Sequence, residues 1–205
     1  MKNFIEISDS EEEQVDKIKK WWNSNGKQII AGAVIGLIGV FGWNYYNDYQ
    51  DNQALNARSL YLNYAADSNN VGAYNKLINE HPSSSYTDQA TLLMAKYLFD
   101  AGSYSLALDA IKPLISNQNS IISSTAVLRV ASIYLQLGQH DEALSTLNIE
   151  SGKGFSGLIY NLTGDVYLDL GNSDEAKKYY LLAIENITEN SNLTQLIQIK
   201  LDDLN

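Results

Sequence analysis

One uncharged segment constrains this chain more than any other feature. Residues 28–47 carry no charged side chain, and residues 29–43 are wholly apolar. Twenty residues of α-helix extend about 30 Å, which is the thickness of a bilayer's hydrocarbon core. Because a backbone in lipid must satisfy its own hydrogen bonds, this segment is predicted to form a single transmembrane helix rather than the core helix of a soluble domain.

The charges that flank the span predict its orientation. Four lysines lie just before it, at Lys17, Lys19, Lys20 and Lys27, whereas Asp48 and Asp51 follow it. The positive-inside rule then gives a cytoplasmic tail (1–27), a transmembrane helix (28–47) and an exported remainder. A cleaved signal peptide is the alternative, but the leader is long and the residues after Trp43 lack a small-residue cleavage pattern. The polar residues 48–53 form a short linker or continue the helix of the anchor.

Composition limits what the exported part can do. The formal net charge is −10, and almost all of it lies after residue 27. Such an acidic surface disfavours binding to nucleic acid or to anionic lipid headgroups. The chain contains no cysteine, so it forms neither disulfides nor thiolate metal sites.

A repeated pattern occurs three times in the exported part. The segments are "YLFDAGSYSLALDAI", "YLQLGQHDEALSTL" and "YLDLGNSDEAKKYY". Their glycines, Gly102, Gly138 and Gly171, are spaced by 36 and 33 residues, and an alanine follows each glycine by five residues. A period near 34 with helical spacing of apolar residues is typical of tetratricopeptide repeats, which are stacked helical hairpins.

Each element of the pattern has a physical role in a helical hairpin. A glycine after the first helix adopts a left-handed cap without steric cost. Asp141 and Asp174, or Ser173, are predicted to cap the second helix. The small alanines Ala107, Ala143 and Ala176 allow the paired helices to approach closely.

The sequence therefore predicts an all-α fold, with a transmembrane helix followed by a tetratricopeptide-like superhelix of helical hairpins. A generic helical bundle is the alternative. The exported repeat domain is predicted to cover residues 54–205, and its first, weaker helix pair comprises 56–66 and 71–80. The predicted repeats are 54–82, 88–121, 124–156 and 157–190, with an amphipathic capping helix at 191–204.

No pattern of catalytic residues is found. His81 precedes a proline, and His140 lies in a turn between helices; neither has a second ligand at metal-binding spacing. No nucleophile elbow or phosphate-binding glycine loop occurs. We therefore expect a protein that is not an enzyme and that has no cofactor.

Two surfaces are predicted to bind partners. Gly32, Gly36 and Gly39 form a small-residue face on the anchor, along which another membrane helix can pack closely. The concave face of the repeat stack is expected to bind an extended segment or a helix of another protein. Its predicted residues come from the first helix of each hairpin: Gln89, Lys96, Phe99, Asp100, Leu128, Ser132, Gln136, Asn161, Asp165 and Asp169.

The N-terminal run resembles that of the YfgM-like ancillary subunits of the bacterial SecYEG translocon. The resemblance covers essentially the full chain. It is carried by Glu13-Gln14-Val15, Trp21-Trp22, Asn25-Gly26, Gly42-Trp43, Tyr49-Gln50, Gly164-Asp165 with Gly171, and the closing "IQIKLDDL". It implies a single-pass protein of the bacterial inner membrane, with a cytoplasmic N-terminus, a periplasmic repeat domain and two partners, SecYEG and a PpiD-like membrane-anchored chaperone.

The expected function is that of a non-catalytic adaptor, which places chaperone capacity where exported chains emerge. Two alternatives remain open at this point. The domain could itself be a periplasmic chaperone that binds unfolded exported chains, or the protein could signal through its cytoplasmic tail.

Overall fold

The computed structural model describes residues 11–187 and 192–204. The first ten residues of the predicted tail, residues 188–191 and residue 205 lie outside this description. All regular structure within the described ranges is helical, which confirms the predicted fold class. The α-helices are α1 (Glu11–Ala66), α2 (Val71–Glu80), α3 (Ser85–Asp100), α4 (Tyr104–Ile111), α5 (Ser120–Gln136), α6 (His140–Leu147), α7 (Ser156–Asp169), α8 (Ser173–Glu185) and α9 (Asn192–Asp202).

The chain divides into two compact units, with the boundary between Ala54 and Leu55. In the first unit, the apolar side chains of α1 are exposed, and Ile35 and Phe41 retain 70% and 69% of their accessible surface. Among the described residues, α1 is the one helix long and apolar enough to cross a membrane. The predicted linker, residues 48–53, is helical. No proline, which would break a helix, occurs in residues 48–53.

In the second unit, consecutive helices form hairpins closed by glycine. Gly102, Gly138 and Gly171 have φ angles of +73°, +69° and +75°. The N–H of the residue after each glycine donates to a carbonyl five residues earlier, as in the 2.9 Å bond from Gln139 to Tyr134. This arrangement satisfies carbonyls at the helix end that would otherwise lack partners. The predicted role of the three glycines is confirmed.

The alanines of the repeat pattern lie where the hairpin helices meet. Ala107, Ala143 and Ala176 have no accessible surface. Each belongs to an apolar cluster shared by neighbouring helices. The helices α7 and α8 approach closely, since a Cβ atom added at Gly164 would lie 2.5 Å from Cε1 of Tyr180. The small residues therefore set the distance between the paired helices.

The predicted helix caps are wrong. α6 begins at His140 after Gln139, and α8 begins at Ser173 after Asn172, so Asp141 and Asp174 lie in the first turn. The cap of α8 is Asn172, whose side chain accepts a 3.2 Å hydrogen bond from the N–H of Glu175. One residue after each glycine is enough to reverse the chain, and each second helix therefore starts earlier than predicted. The first-turn carboxylates still interact favourably with the helix dipole.

Helices pack at both ends of the repeat unit. α2 covers the predicted residues 71–80, and the buried Tyr64 near the end of α1 lies 5.5 Å from Tyr74 between ring centroids. At the other end, Ile197 and Leu201 of α9 are buried against α8. α3 and α5 begin at Ser85 and Ser120, ahead of the predicted repeat boundaries at 88 and 124.

Candidate binding surfaces

The glycine face of α1 is open. Gly32, Gly36 and Gly39 are spaced by four and three residues, which places them on one side of a helix. A Cβ atom added at any of the three would meet nothing within 4 Å. A second helix can therefore approach this backbone closely.

Four predicted residues come together in a groove between α3 and α5. Lys96, Phe99, Asp100 and Ser132 line a cavity of about 290 Å³, which we call the α3–α5 groove. Its remaining lining residues are Ala95, Arg129 and Ile133. Four of the side chains that the sequence assigns to the concave face therefore line one cavity between these two helices.

The charged side chains of the α3–α5 groove differ in their hydrogen-bond and ion-pair partners. Lys96 and Asp100 form an exposed ion pair one helical turn apart. Arg129 is half-buried, and its Nη1 donates to the backbone carbonyl of Leu92 on α3. Phe99 lies against Tyr104, with 5.2 Å between ring centroids. The groove therefore combines an aromatic wall with two cations and one carboxylate.

A second cavity, of about 700 Å³, lies where α5 and α7 meet Lys200 of α9, and we call it the α5–α7 groove. Three predicted residues, Gln136, Asp165 and Asp169, line it. Its other lining residues are Leu135, Gly138, Leu168 and Lys200. Carboxylates thus outnumber cations here, whereas cations outnumber carboxylates in the α3–α5 groove.

The carboxylate of Asp165 is bonded to side chains of two other helices, α8 and α9. Lys200 Nζ lies 2.6 Å from Asp165 Oδ1 and donates to Asn161 Oδ1 at 3.0 Å. The Tyr180 hydroxyl donates to the same Asp165 oxygen at 2.7 Å. Burial raises the pKa of Tyr180, and the bond to Asp165 raises it further, so Tyr180 remains a neutral donor. This network connects α7, α8 and α9.

His140 has a structural role at the edge of this region. Its Nε2 lies 2.6 Å from Asp169 Oδ2, which connects the start of α6 to the end of α7. In the ranges that the structure describes, no group of three His, Cys, Asp or Glu side chains could hold a metal ion.

Three predicted residues are not among the residues that line the two grooves. Asn161 accepts a hydrogen bond from Lys200 but lines neither cavity. Gln89 is partly buried on α3 and lines neither cavity. Leu128 packs against the apolar cluster that includes Ala131 and Ala143, because it faces the adjoining hairpin. Arg129 and Lys200 were not predicted as groove residues. Arg129 lies three residues before Ser132, and this helical spacing was the available signal.

Comparisons with known proteins agree with this architecture. A family model described as a tetratricopeptide repeat-like domain matches residues 19–205. Two solved structures share the fold of the repeat unit. A tetratricopeptide repeat protein from Parabacteroides merdae has a TM-score of 0.56 at 18% identity and covers 75% of this chain and 60% of its own. The MamA protein has a TM-score of 0.51 at 16% identity, with 75% and 87% covered.

Curated relatives match the chain over nearly its full length. A protein of Aggregatibacter actinomycetemcomitans is 36% identical over 95% of this chain and 97% of its own length. One from Neisseria gonorrhoeae is 31% identical with the same coverage, and one from Escherichia coli is 25% identical over 98% and 99%. Each is called an ancillary SecYEG translocon subunit. On this evidence the chain belongs to the family of the ancillary SecYEG translocon subunits.

Proposed function

We propose that this protein is a non-catalytic, membrane-anchored adaptor of the SecYEG translocon. The observation that carries the proposal is the similarity to ancillary translocon subunits over 95% or more of the chain, which includes both the apolar part of α1 and the repeat unit. The structure supports this with an open glycine face on α1 and two grooves on the repeat unit. An anchor and a recognition surface are the two parts that an adaptor needs.

The proposed topology follows the flanking charges. The tail, residues 1–27, stays in the cytoplasm, residues 28–47 cross the inner membrane, and the repeat unit lies in the periplasm. The repeat grooves would then face the compartment in which exported chains emerge.

The proposed second partner is a PpiD-like, membrane-anchored periplasmic chaperone. Two proteins anchored in one membrane have a high effective concentration for each other, so that modest contacts suffice to hold them together. The grooves offer contacts of this kind, because each combines apolar side chains with a few charges. The adaptor would thereby bring chaperone capacity to the translocon.

Photo-crosslinking in native membranes tests the anchor contact. A photoreactive amino acid at Gly36 is expected to crosslink to a translocon or chaperone membrane helix. The matched control is Ile38, which lies two residues away, on the opposite side of the helix. Equal yields from both positions would contradict a specific packing face.

A second probe, at Lys96 in the α3–α5 groove, tests the groove contact. It is expected to crosslink to the periplasmic part of one chaperone, whereas a probe at the exposed Asp109 on α4 is not. Capture of many different exported chains at Lys96 would contradict the adaptor proposal and favour a protein that binds unfolded chains directly.

A further inference from the structure

The charge of Arg129 is incompletely compensated in the α3–α5 groove. Within the described part of the chain, Lys96, Lys178 and Lys200 each have a carboxylate within ion-pair distance, and Arg129 has none. Its Nη1 donates to the neutral carbonyl of Leu92. Since guanidinium carries five N–H donors, this one bond leaves most of its donor capacity for a ligand.

The surroundings of Arg129 favour an anion. Residues 55–205 contain sixteen acidic residues and nine cations, yet Lys96 and Arg129 give the α3–α5 groove more positive than negative charge. Burial lowers the pKa of Arg129, an effect that Asp100 partly opposes. A half-buried cation gains most from a ligand that brings both negative charge and hydrogen-bond acceptors.

The walls and the size of the groove indicate what kind of group should flank the anion in a ligand. Ala95, Phe99 and Ile133 contribute apolar surface next to the guanidinium. A cavity of about 290 Å³ has room for a few side chains and not for a folded element. These dimensions suit a short stretch of extended polypeptide.

We propose that the α3–α5 groove binds a carboxylate flanked by apolar side chains on a partner polypeptide, with Arg129 as its anchoring residue. The inference rests on the proposed adaptor function only in assigning that polypeptide to a partner. The planar fork of Arg129 matches a carboxylate through two parallel hydrogen bonds, which a lysine cannot reproduce. Lys96, exposed at the rim and held by Asp100, adds attraction at longer range.

The α5–α7 groove does not offer the same chemistry. Its cation, Lys200, is already held by Asp165 and Asn161. Asp165 and Asp169 would repel an incoming carboxylate. Acidic ligands are therefore expected to select the groove that contains Arg129.

Three labelled peptides with one leucine-rich sequence test the proposal on the full-length protein in nanodiscs. The first carries two aspartates and an amidated C-terminus. The second carries asparagines in their place and a free terminal carboxylate, and the third carries asparagines and an amidated end. Fluorescence anisotropy should show at least one carboxylate peptide binding roughly tenfold more tightly than the third. Binding of the first indicates a side-chain carboxylate, and binding of the second indicates a chain terminus.

Substitutions at Arg129 test whether this residue binds the carboxylate. Arg129→Gln should abolish the preference for carboxylate, and Arg129→Lys should weaken it. Lys178→Gln, which removes an exposed cation outside the groove, should leave the preference for carboxylate unchanged.

Equal binding of all three peptides would overturn the proposal, as would a preference for carboxylate that persists in a folded Arg129→Gln protein. If Arg129→Gln does not fold, the proposal is tested by the peptide series on the wild-type protein and by the weaker carboxylate preference expected of Arg129→Lys. None of these results affects crosslinking from Gly36, so the adaptor proposal is tested separately.

Discussion

Replacing Gly164 with alanine should destabilise the repeat unit by about 2 kcal/mol, through the contact between α7 and α8. The added Cβ would lie 2.5 Å from Cε1 and 2.6 Å from Cδ1 of Tyr180. That ring cannot move aside easily, because Tyr180 is fully buried and its hydroxyl is bonded to Asp165. Alanine gains up to about 1 kcal/mol in helix propensity over glycine, but overpacking a core costs about 1–3 kcal/mol, and this contact is severe.

Urea unfolding monitored by far-UV circular dichroism measures this effect. Gly154→Ala is the matched control, because a Cβ there meets no atom within 4 Å, and its stability should change by less than about 0.5 kcal/mol. Equal stability of the two variants would contradict the close packing of α7 against α8. A separate early transition in Gly164→Ala would indicate that the last hairpin unfolds first, as the nearest-neighbour stability of repeat proteins allows.

Cysteines introduced on the two sides of the proposed membrane span should differ completely in their labelling by a reagent that cannot cross the membrane. Because the chain has no cysteine, single cysteines can be introduced without a background. In spheroplasts, a membrane-impermeant maleimide should label Asp109→Cys in the repeat unit and leave Gln14→Cys in the tail unmodified. The expected cause is the excess of lysine before the span, which keeps the tail in the cytoplasm.

Permeabilised cells provide the control for this experiment. Both positions are exposed in the structure, so both cysteines should react once the membrane is opened. Labelling of Gln14→Cys in intact spheroplasts, together with protection of Asp109→Cys, would reverse the proposed topology. Labelling of both would mean that residues 28–47 do not span the membrane.

Features that depend on local sequence could be predicted well. The glycine at each hairpin end is required by a left-handed backbone conformation, and this requirement is visible in one sequence. The apolar run of α1 is equally local, since the number of consecutive apolar residues fixes whether it can cross a bilayer. The prediction that Asp141 and Asp174 cap their helices was wrong. The residue at which a helix starts depends on the geometry of the preceding turn, which residue type alone does not determine.

Features that depend on contacts between distant residues could be predicted only in part. Helical register assigned Lys96, Ser132 and Asp169 to one face of the repeat stack, and each of these side chains lines a cavity. It could not show that Leu128 faces the core, because that depends on how neighbouring hairpins are rotated. The contact of Lys200 with Asp165 joins residues 35 positions apart, and it depends on how α9 lies against the last hairpin.

Replacement of the anchor tests the central claim most directly. Residues 28–47 would be exchanged for a leucine-rich span of equal length that lacks the glycine face, and both proteins would be purified from native membranes in mild detergent. We expect the unmodified protein to co-purify with SecYEG, and the exchanged protein to remain in the membrane while retaining at least tenfold less SecYEG. Equal recovery of SecYEG with both proteins, or with neither, would contradict an adaptor that associates with the translocon through its anchor.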